Sequence, residues 1–266
     1  MGGVTPEIHL FITGGWDSTF MLCKLSRQDI TICPVYVLNP KRKSNKKELE
    51  AAKKIIQALS KHPGTKAKIK KLDIRKLPDI KVDQNFTAAR HRIMEKVGLL
   101  GYQYDYLATV AKDIGTIGLG IEKDSADHEV GASAALNHLA TLKPSKYGHI
   151  VDEKKSDPDI YLLFGRIFFP IINTTEVEMV DWAKKYGYTN IMSLTWFCHS
   201  PIKNQPCGLC RPCEEKIDSK MGFLLPEEAI KRYNKAKKWN HFGGKVSRTI
   251  KNFILFFLSD KPKSHK

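Results

Sequence analysis

Long apolar runs are missing from this sequence. The longest purely apolar stretch is Phe253 to Leu258, far short of the roughly 20 residues a membrane-spanning helix needs. Met1 to Glu7 is not a basic stretch followed by an apolar run, so no secretory signal is expected. Pro6 stands where a myristoylation signal takes Ser or Thr. There is no repeat at a fixed period and no long low-complexity tract. The glycine-rich turn at 13–19 lacks the Gly-Lys-Ser/Thr of a Walker A loop and the Gly-x-Gly-x-x-Gly of a dinucleotide fold. A cytoplasmic protein is therefore expected. Its 266 residues suffice for one α/β domain with a real core, or for one domain plus an extension.

Acidic residues are scarce in two segments. Residues 231–266 carry eleven Lys/Arg against one acidic residue, and residues 41–76 carry fourteen against three. With a total of +16, the rest of the chain is mildly acidic. Two basic segments attached to an acidic body suit nucleic acid, an anionic membrane or an acidic partner; solvated lysine on exposed helices is the plain alternative.

Strand and helix patterns alternate. His9 to Ile12, Thr31 to Leu38, Lys68 to Ile74 and Thr116 to Ile121 read as strands, and Tyr161 to Ile172 is strand-like. Asp17 to Leu25, Lys46 to Ser60, Ala126 to Leu142 and Thr175 to Tyr186 read as helices, the last capped by Thr174. Thr87 to Lys112 reads as helix in two pieces, interrupted near Gly98 to Gly101. This rhythm predicts an α/β fold, an open doubly wound and mostly parallel sheet, in which ligands collect beyond the carboxyl ends of the strands. The loops at Thr13, Asn39 and Ile121 all lie at such ends. From about residue 226 the rhythm stops. The expected organisation is one domain over 1–225 and a basic helical tail over 226–266.

Thr13-Gly14-Gly15-Trp16-Asp17-Ser18-Thr19 lies between the first strand and the first helix. Two glycines let backbone amides approach an anion, and one can take positive φ. The helix start adds N–H groups and the positive end of its dipole. Ser18 and Thr19 add hydroxyls, and Asp17 suits a Mg2+ ion bridging phosphate oxygens. An ordinary capped turn is the alternative. Nucleotide contacts are expected from Thr13, Gly14, Gly15, Asp17, Ser18 and Thr19, and from Tyr36, Leu38 and Gly120 at the ends of the second and fourth strands. Asp17, Ser18 and Asp124 are the catalytic candidates.

Cys198, Cys207, Cys210 and Cys213 fall within sixteen positions, with Gly208 allowing a tight turn. Four soft ligands at this spacing close a tetrahedral Zn2+ shell with no open position, which predicts a structural zinc knuckle over 195–216. An iron–sulfur cluster and redox thiols are the alternatives. Cys23 and Cys33 sit in apolar sequence and read as core thiols.

The loop resembles the Ser-Gly-Gly-x-Asp-Ser signature of PP-loop ATP pyrophosphatases, with Thr13 in place of the leading Ser. With the cysteine cluster, the chain resembles the 7-cyano-7-deazaguanine synthase family over about residues 8–223. Lys47 to Lys53 looks like that family's Lys-Glu-Leu-Glu-Ala-Ala helix, and Phe169-Pro170-Ile171-Ile172 like its Pro-Leu-Ile segment. Thr195 to Cys198 and Pro206 to Cys213 look like its zinc signature. The resemblance implies that ATP adenylates the carboxylate of 7-carboxy-7-deazaguanine or a similar deazapurine acid, and that ammonia then gives an amide or nitrile. ATP, Mg2+ and Zn2+ are the implied cofactors, and a homo-oligomer the implied assembly.

The departures lie on the base side. Glu122 to His128 lacks the family's Tyr-Pro-Asp-Cys run, and Ala89-Arg90-His91-Arg92 replaces its Val-Pro-x-Arg-Asn. Thr175 stands for the Lys of its Thr-Lys-x-Glu helix start, and Lys216 for an Arg. Two alternatives follow: the same acyl-adenylate passed to an amine of a protein partner, or a PP-loop protein that modifies RNA or binds nucleic acid. The tail sets Val246, Ile250, Phe253, Ile254 and Phe257 at helical spacing beside Lys245, Arg248 and Lys251. Such a helix suits an anionic surface or an acidic protein, or packs back on the chain itself.

Overall fold

The computed structural model describes residues 5–123, 131–219 and 221–241. They fall into two compact units: residues to 38 together with 51–195, and 39–50 together with residues from 196 on.

The first unit is built on one sheet. Its strands are β1 (Glu7–Phe11), β2 (Thr31–Leu38), β3 (Lys68–Ile69), β4 (Asp73–Lys76), β5 (Ile117–Gly118), β6 (Leu142–Ser145), β7 (Gly148–Val151) and β8 (Ile167–Phe169). Their order is β3-β2-β1-β5-β8-β7-β6, with β4 also beside β2. The pairs from β3 and β4 across to β8 are parallel, and β6 and β7 close the far edge as an antiparallel hairpin.

The β-branched run of β2 explains its central place. Pro34 explains a break in its neighbour. Thr31 and Ile32 pair with β3, Val35 to Leu38 pair with β4, and the gap between β3 and β4 faces Cys33 and Pro34. Lys70 N donates to the Ile32 carbonyl, whereas Ile12 N donates to Val35 on the opposite side. In a parallel ladder the sides alternate, so Pro34 faces the outer strand without an N–H, and pairing lapses there.

Helices α1 (Trp16–Ser26) and α2 (Asn45–Ser60) carry the first two crossovers. Ala52, Ile55 and Leu59 of α2 are fully buried at helical period. Helices α3 (Gln84–Val97) and α4 (Gln103–Ile114) are the two pieces expected, parted at Gly98. Buried Arg90 and Asp105 join them at 2.8 Å. Phe11 and Val35 lie in one buried cluster with side chains of α3, α4, α5 (Ala132–Leu139) and α6 (Pro158–Phe164). The chain winds outward from β1 through β2 to β3, then returns to place β5 on β1's other flank. Right-handed crossovers then put the two sets of helices on opposite faces. The expected doubly wound, mostly parallel sheet is what forms.

Three expectations need correction. Tyr161 to Ile172 is not one strand: Asp157 caps α6 through the amides of Asp159 and Ile160, Pro158 opens it, and only Ile167–Phe169 is extended. The helix expected to Leu142 ends at Leu139, because Leu142–Ser145 pairs with β7. The start expected at Ala126 lies outside the described residues, and α5 begins at Ala132. The cap of α7 (Glu176–Tyr186) is Thr175, not Thr174: its hydroxyl accepts from Glu178 N while the Glu178 carboxylate accepts from Thr175 N.

The second unit holds the cysteines. Cys198, Cys207, Cys210 and Cys213 are buried with Ile202, Leu209, Leu225 and Ala229. Cys210 caps α9 (Arg211–Asp218), and Ala229 belongs to α10 (Glu227–His241), so α10 contributes to the knuckle's core. The rest of the expected tail lies outside the described residues. Among those described, no helix is long and apolar enough to cross a membrane.

Candidate functional site

The winding reverses between β1 and β5, so a crevice opens beyond their carboxyl ends. The loop 13–19 fills one side of it. Gly14 takes φ +73°, the left-handed region that glycine enters without strain. Gly15 precedes α1 in extended conformation with no side-chain cap. The positive end of the α1 dipole therefore faces the loop. The loop is tied by its hydroxyls. Thr13 N donates to Ser18 Oγ at 3.2 Å, the Thr13 and Ser18 hydroxyls lie 3.0 Å apart, and Gly15 N donates to Thr13 Oγ1 at 3.2 Å. Thr19 Oγ1 donates to the Gly15 carbonyl at 2.7 Å. Ser18 and Thr19 thus shape the turn as well as face it.

Phe11, Thr13, Gly15, Trp16, Asp17, Ser18, Leu119 and Gly120 line a half-open cavity of about 80 Å³. Gly120 matters by its size. A Cβ there would lie 3.1 Å from Asp17 C and Ser18 N, so the β5 loop rests directly on the start of α1. The structure therefore brings together Thr13, Gly14, Gly15, Asp17, Ser18, Thr19 and Gly120. Tyr36 is buried within β2, and Leu38 ends that strand paired with Lys76; neither lines the cavity. Asp124 lies outside the described residues.

Two carboxylates that the sequence reading left out join the site. Oxygen atoms of Asp17, Glu122 and Glu176 lie within 4.8 Å of one another. They arrive from the start of α1, the loop after β5 and the first position of α7. Lys123 N donates to the Thr174 carbonyl at 3.0 Å, which fastens two of these segments together. The capping box engages Glu178 and leaves Glu176 directed elsewhere. Bonding by the Thr175 amide holds the Glu178 carboxyl below its ordinary value. The pattern three residues apart was the available signal. Tyr104 of α4 is a further neighbour. Burial pushes its phenol up, and the charge of Asp17 adds to that.

Three carboxylates on hard oxygen atoms suit Mg2+ beside phosphates. Arg90 is spent internally on Asp105 and the Leu100 carbonyl.

The second site is the cysteine cluster. All four thiols are free and buried. Cys207 and Cys213 Sγ lie 3.9 Å apart, Cys198 and Cys210 3.9 Å, and Cys210 and Cys213 3.5 Å. Zn–S bonds of about 2.3 Å in a tetrahedron put sulfurs about 3.8 Å apart. Cys207 N donates to Cys198 Sγ, and Leu209 N and Cys210 N donate to Cys207 Sγ, at 3.2 to 3.3 Å. Hydrogen bonding among the four thiols, from Cys198 first, holds Cys207 and Cys210 below the ordinary thiol value, while bonds with Cys207 and Cys198 push Cys198 and Cys213 up in turn. Gly208 takes φ +76°, and a Cβ there would stand 2.0 Å from the Ala229 carbonyl oxygen. Arg232 donates to the Cys207 carbonyl at 2.8 Å, and Trp196 Nε1 to that of Cys198 at 2.8 Å. His199 is exposed and lies outside the cluster. The donor set and spacing fit zinc with every position taken by sulfur.

No protein-family model matches the sequence, and no curated protein sequence matches it. Among solved structures, the chain is similar to a predicted subunit of tRNA methyltransferase from Methanocaldococcus jannaschii DSM, at 17% identity and a TM-score of 0.34, over 67% of this chain and 74% of that one. It is also similar to a 4-thiouridine synthetase solved with RNA and bound ATP, at 14% identity and a TM-score of 0.37. That match covers 86% of this chain and 53% of the other, about half its length. Both TM-scores fall below 0.5, and the functional reading stands on the site's own geometry.

Proposed function

We propose that the chain is an ATP-dependent enzyme of the PP-loop type that activates a carboxylate as an acyl-adenylate. The observation that carries this reading is the loop 13–19, folded at the reversal point of the sheet with the start of α1 facing a half-open cavity and three carboxylates beside it. ATP is a substrate here. A carboxylate oxygen attacks the α-phosphorus, the bond from that phosphorus to the β-bridging oxygen breaks, and pyrophosphate leaves with the electron pair. The start of α1 and its helix dipole stabilise the charge that builds on the leaving oxygens. Ser18 and Thr13 hold the turn in shape. Asp17, Glu122 and Glu176 would hold Mg2+, which when bound neutralises phosphate charge. An amine then attacks the acyl carbon, and AMP leaves.

The acid we propose is 7-carboxy-7-deazaguanine or a similar deazapurine, with ammonia as the amine and an amide as product, or a nitrile where a second ATP adenylates the amide oxygen and AMP carries that oxygen away. The support is the resemblance carried by the loop and the Thr195 to Cys213 segment together. A protein amine as acceptor uses the same first half-reaction. The zinc would be structural and would fasten 198–213 to α10. The test incubates the protein with ATP, Mg2+ and the acid, with and without ammonia, and weighs small molecules and protein. AMP formed only with the acid supports the reading; AMP formation indifferent to the acid refutes the substrate.

One observation favours a second reading, adenylation of an RNA base. Lys53, Lys54, Lys61, Lys66, Lys68 and Lys71 are all exposed on α2, β3 and the segments flanking β3, a basic surface suited to phosphates. AMP release triggered by RNA and not by the acid would establish it.

A further inference from the structure

A second group of metal-binding side chains lies away from the crevice, at the amino ends of the strands. Glu7, His9 and Cys33 place a carboxylate oxygen, an imidazole nitrogen and a thiol sulfur within 4.8 Å of one another. Cys33 is buried, as its apolar sequence suggests, and the ladder also brings it beside two polar side chains. His9 and Cys33 are register partners on β1 and β2, so both side chains stand on one face of the sheet. Glu7 is two residues before His9 and shares that face. Lys70, just beyond β3, reaches the same place, with its ammonium 2.6 Å from Glu7 Oε2.

We propose that Glu7, His9 and Cys33 form a transition-metal site, selective for a borderline divalent ion such as Zn2+ and distinct from both the carboxylate trio and the four-cysteine cluster. The donor chemistry carries the choice. One sulfur, one nitrogen and one oxygen suit zinc or cobalt, and not Mg2+ or Ca2+, which take oxygen. Three protein ligands leave a fourth position for water, and the exposure of Glu7 opens that side to solvent. His9 and Cys33 are fixed by the parallel ladder between β1 and β2, so two of the three ligands need no loop to order them. Without metal the position is already held by a cation. The Glu7 carboxylate engages Lys70, and the Cys33 thiol hydrogen-bonds to the same carboxylate. Metal binding exchanges one cation for another: the ammonium withdraws on its flexible stem, and Cys33 releases its proton to solvent as sulfur binds the ion.

Cobalt(II) titration of the full chain tests this, read by its d–d bands and thiolate charge-transfer absorbance. The four-cysteine cluster gives an all-sulfur spectrum; the proposed site gives a one-thiolate spectrum. In the wild type both appear. Cys33→Ser and His9→Gln each lose the one-thiolate spectrum and keep the other, whereas Cys210→Ser does the reverse. Lys70→Met removes the competing ammonium and tightens the one-thiolate site by about two- to fivefold, the worth of one exposed ion pair. Identical stoichiometry and spectra in wild type and Cys33→Ser overturn the proposal, as does one-thiolate binding weaker than about 100 μM. Because the two spectra differ, failure of the four-cysteine assignment is seen separately.

Discussion

Gly120→Ala adds one methyl group at the point where the β5 loop meets the turn 13–19. The new Cβ would lie 3.1 Å from Asp17 C, 3.1 Å from Ser18 N and 3.2 Å from Asp17 O. All three atoms are backbone, so no side chain can swing aside, and the loop or the helix start must retreat by a few tenths of an ångström. Overpacking of this size costs about 1–3 kcal/mol. In the proposed function these atoms belong to the turn that faces the leaving phosphates, so much of the cost should fall on nucleotide binding and turnover. If all of it does, Mg–ATP affinity or substrate-dependent AMP formation drops about 5- to 150-fold. Calorimetric titration of Mg–ATP reads this without knowledge of the acid. Gly101→Ala is the control, because its Cβ would meet nothing nearer than 3.7 Å. A Gly120→Ala protein that binds Mg–ATP like wild type, with Gly101→Ala also unaffected, refutes the placement of phosphates against this turn.

Asp17→Ala and Ser18→Ala should fold, shown by unchanged circular dichroism, but lose AMP formation. Glu176→Gln should weaken ATP binding in the presence of Mg2+ and change it little in EDTA; equal loss under both conditions would remove Glu176 from the metal. Cys210→Ser should lower zinc from about one per chain by plasma emission analysis and lower the melting temperature, while iron and sulfide in the wild type would replace zinc by a cluster. Glu178 is held below its ordinary 4.5 by bonding to Thr175, so its contribution is full above about that pH and is lost as pH falls through the lower folded value. Glu178→Ala should therefore flatten the acid side of the melting-temperature profile.

Most of the sheet was legible because its strands announce themselves locally. Thr31 to Leu38 is apolar and β-branched, and it forms β2 at those bounds. The break near Gly98 was legible because glycine ends a helix by a conformation other residues resist. The hairpin Leu142–Ser145 and Gly148–Val151 was not. Its residues alternate weakly, and Lys143 and Pro144 lack strand propensity; pairing with β8 supplies what the local sequence does not. The apolar run from Tyr161 to Ile172 misled because a buried helix and a buried strand look alike over a few residues. Asp157-Pro158 was the discriminating signal.

The two sites differ in legibility for one reason, the span of chain each needs. Four cysteines within sixteen positions state their own geometry, because ligand type and short spacing leave few ways to fold. The loop 13–19 is likewise contiguous. The carboxylate trio draws on residues 17, 122 and 176, and the Glu7, His9 and Cys33 group on two strands with a helix between. No spacing rule connects such residues. They meet only once the strand order is known: β1 lies between β2 and β5, so its amino end faces Cys33 and its carboxyl end faces the Glu122 loop. The position of β1 at the reversal of winding thus supplies both groups, the carboxylate trio at one end and the sulfur–nitrogen–oxygen group at the other.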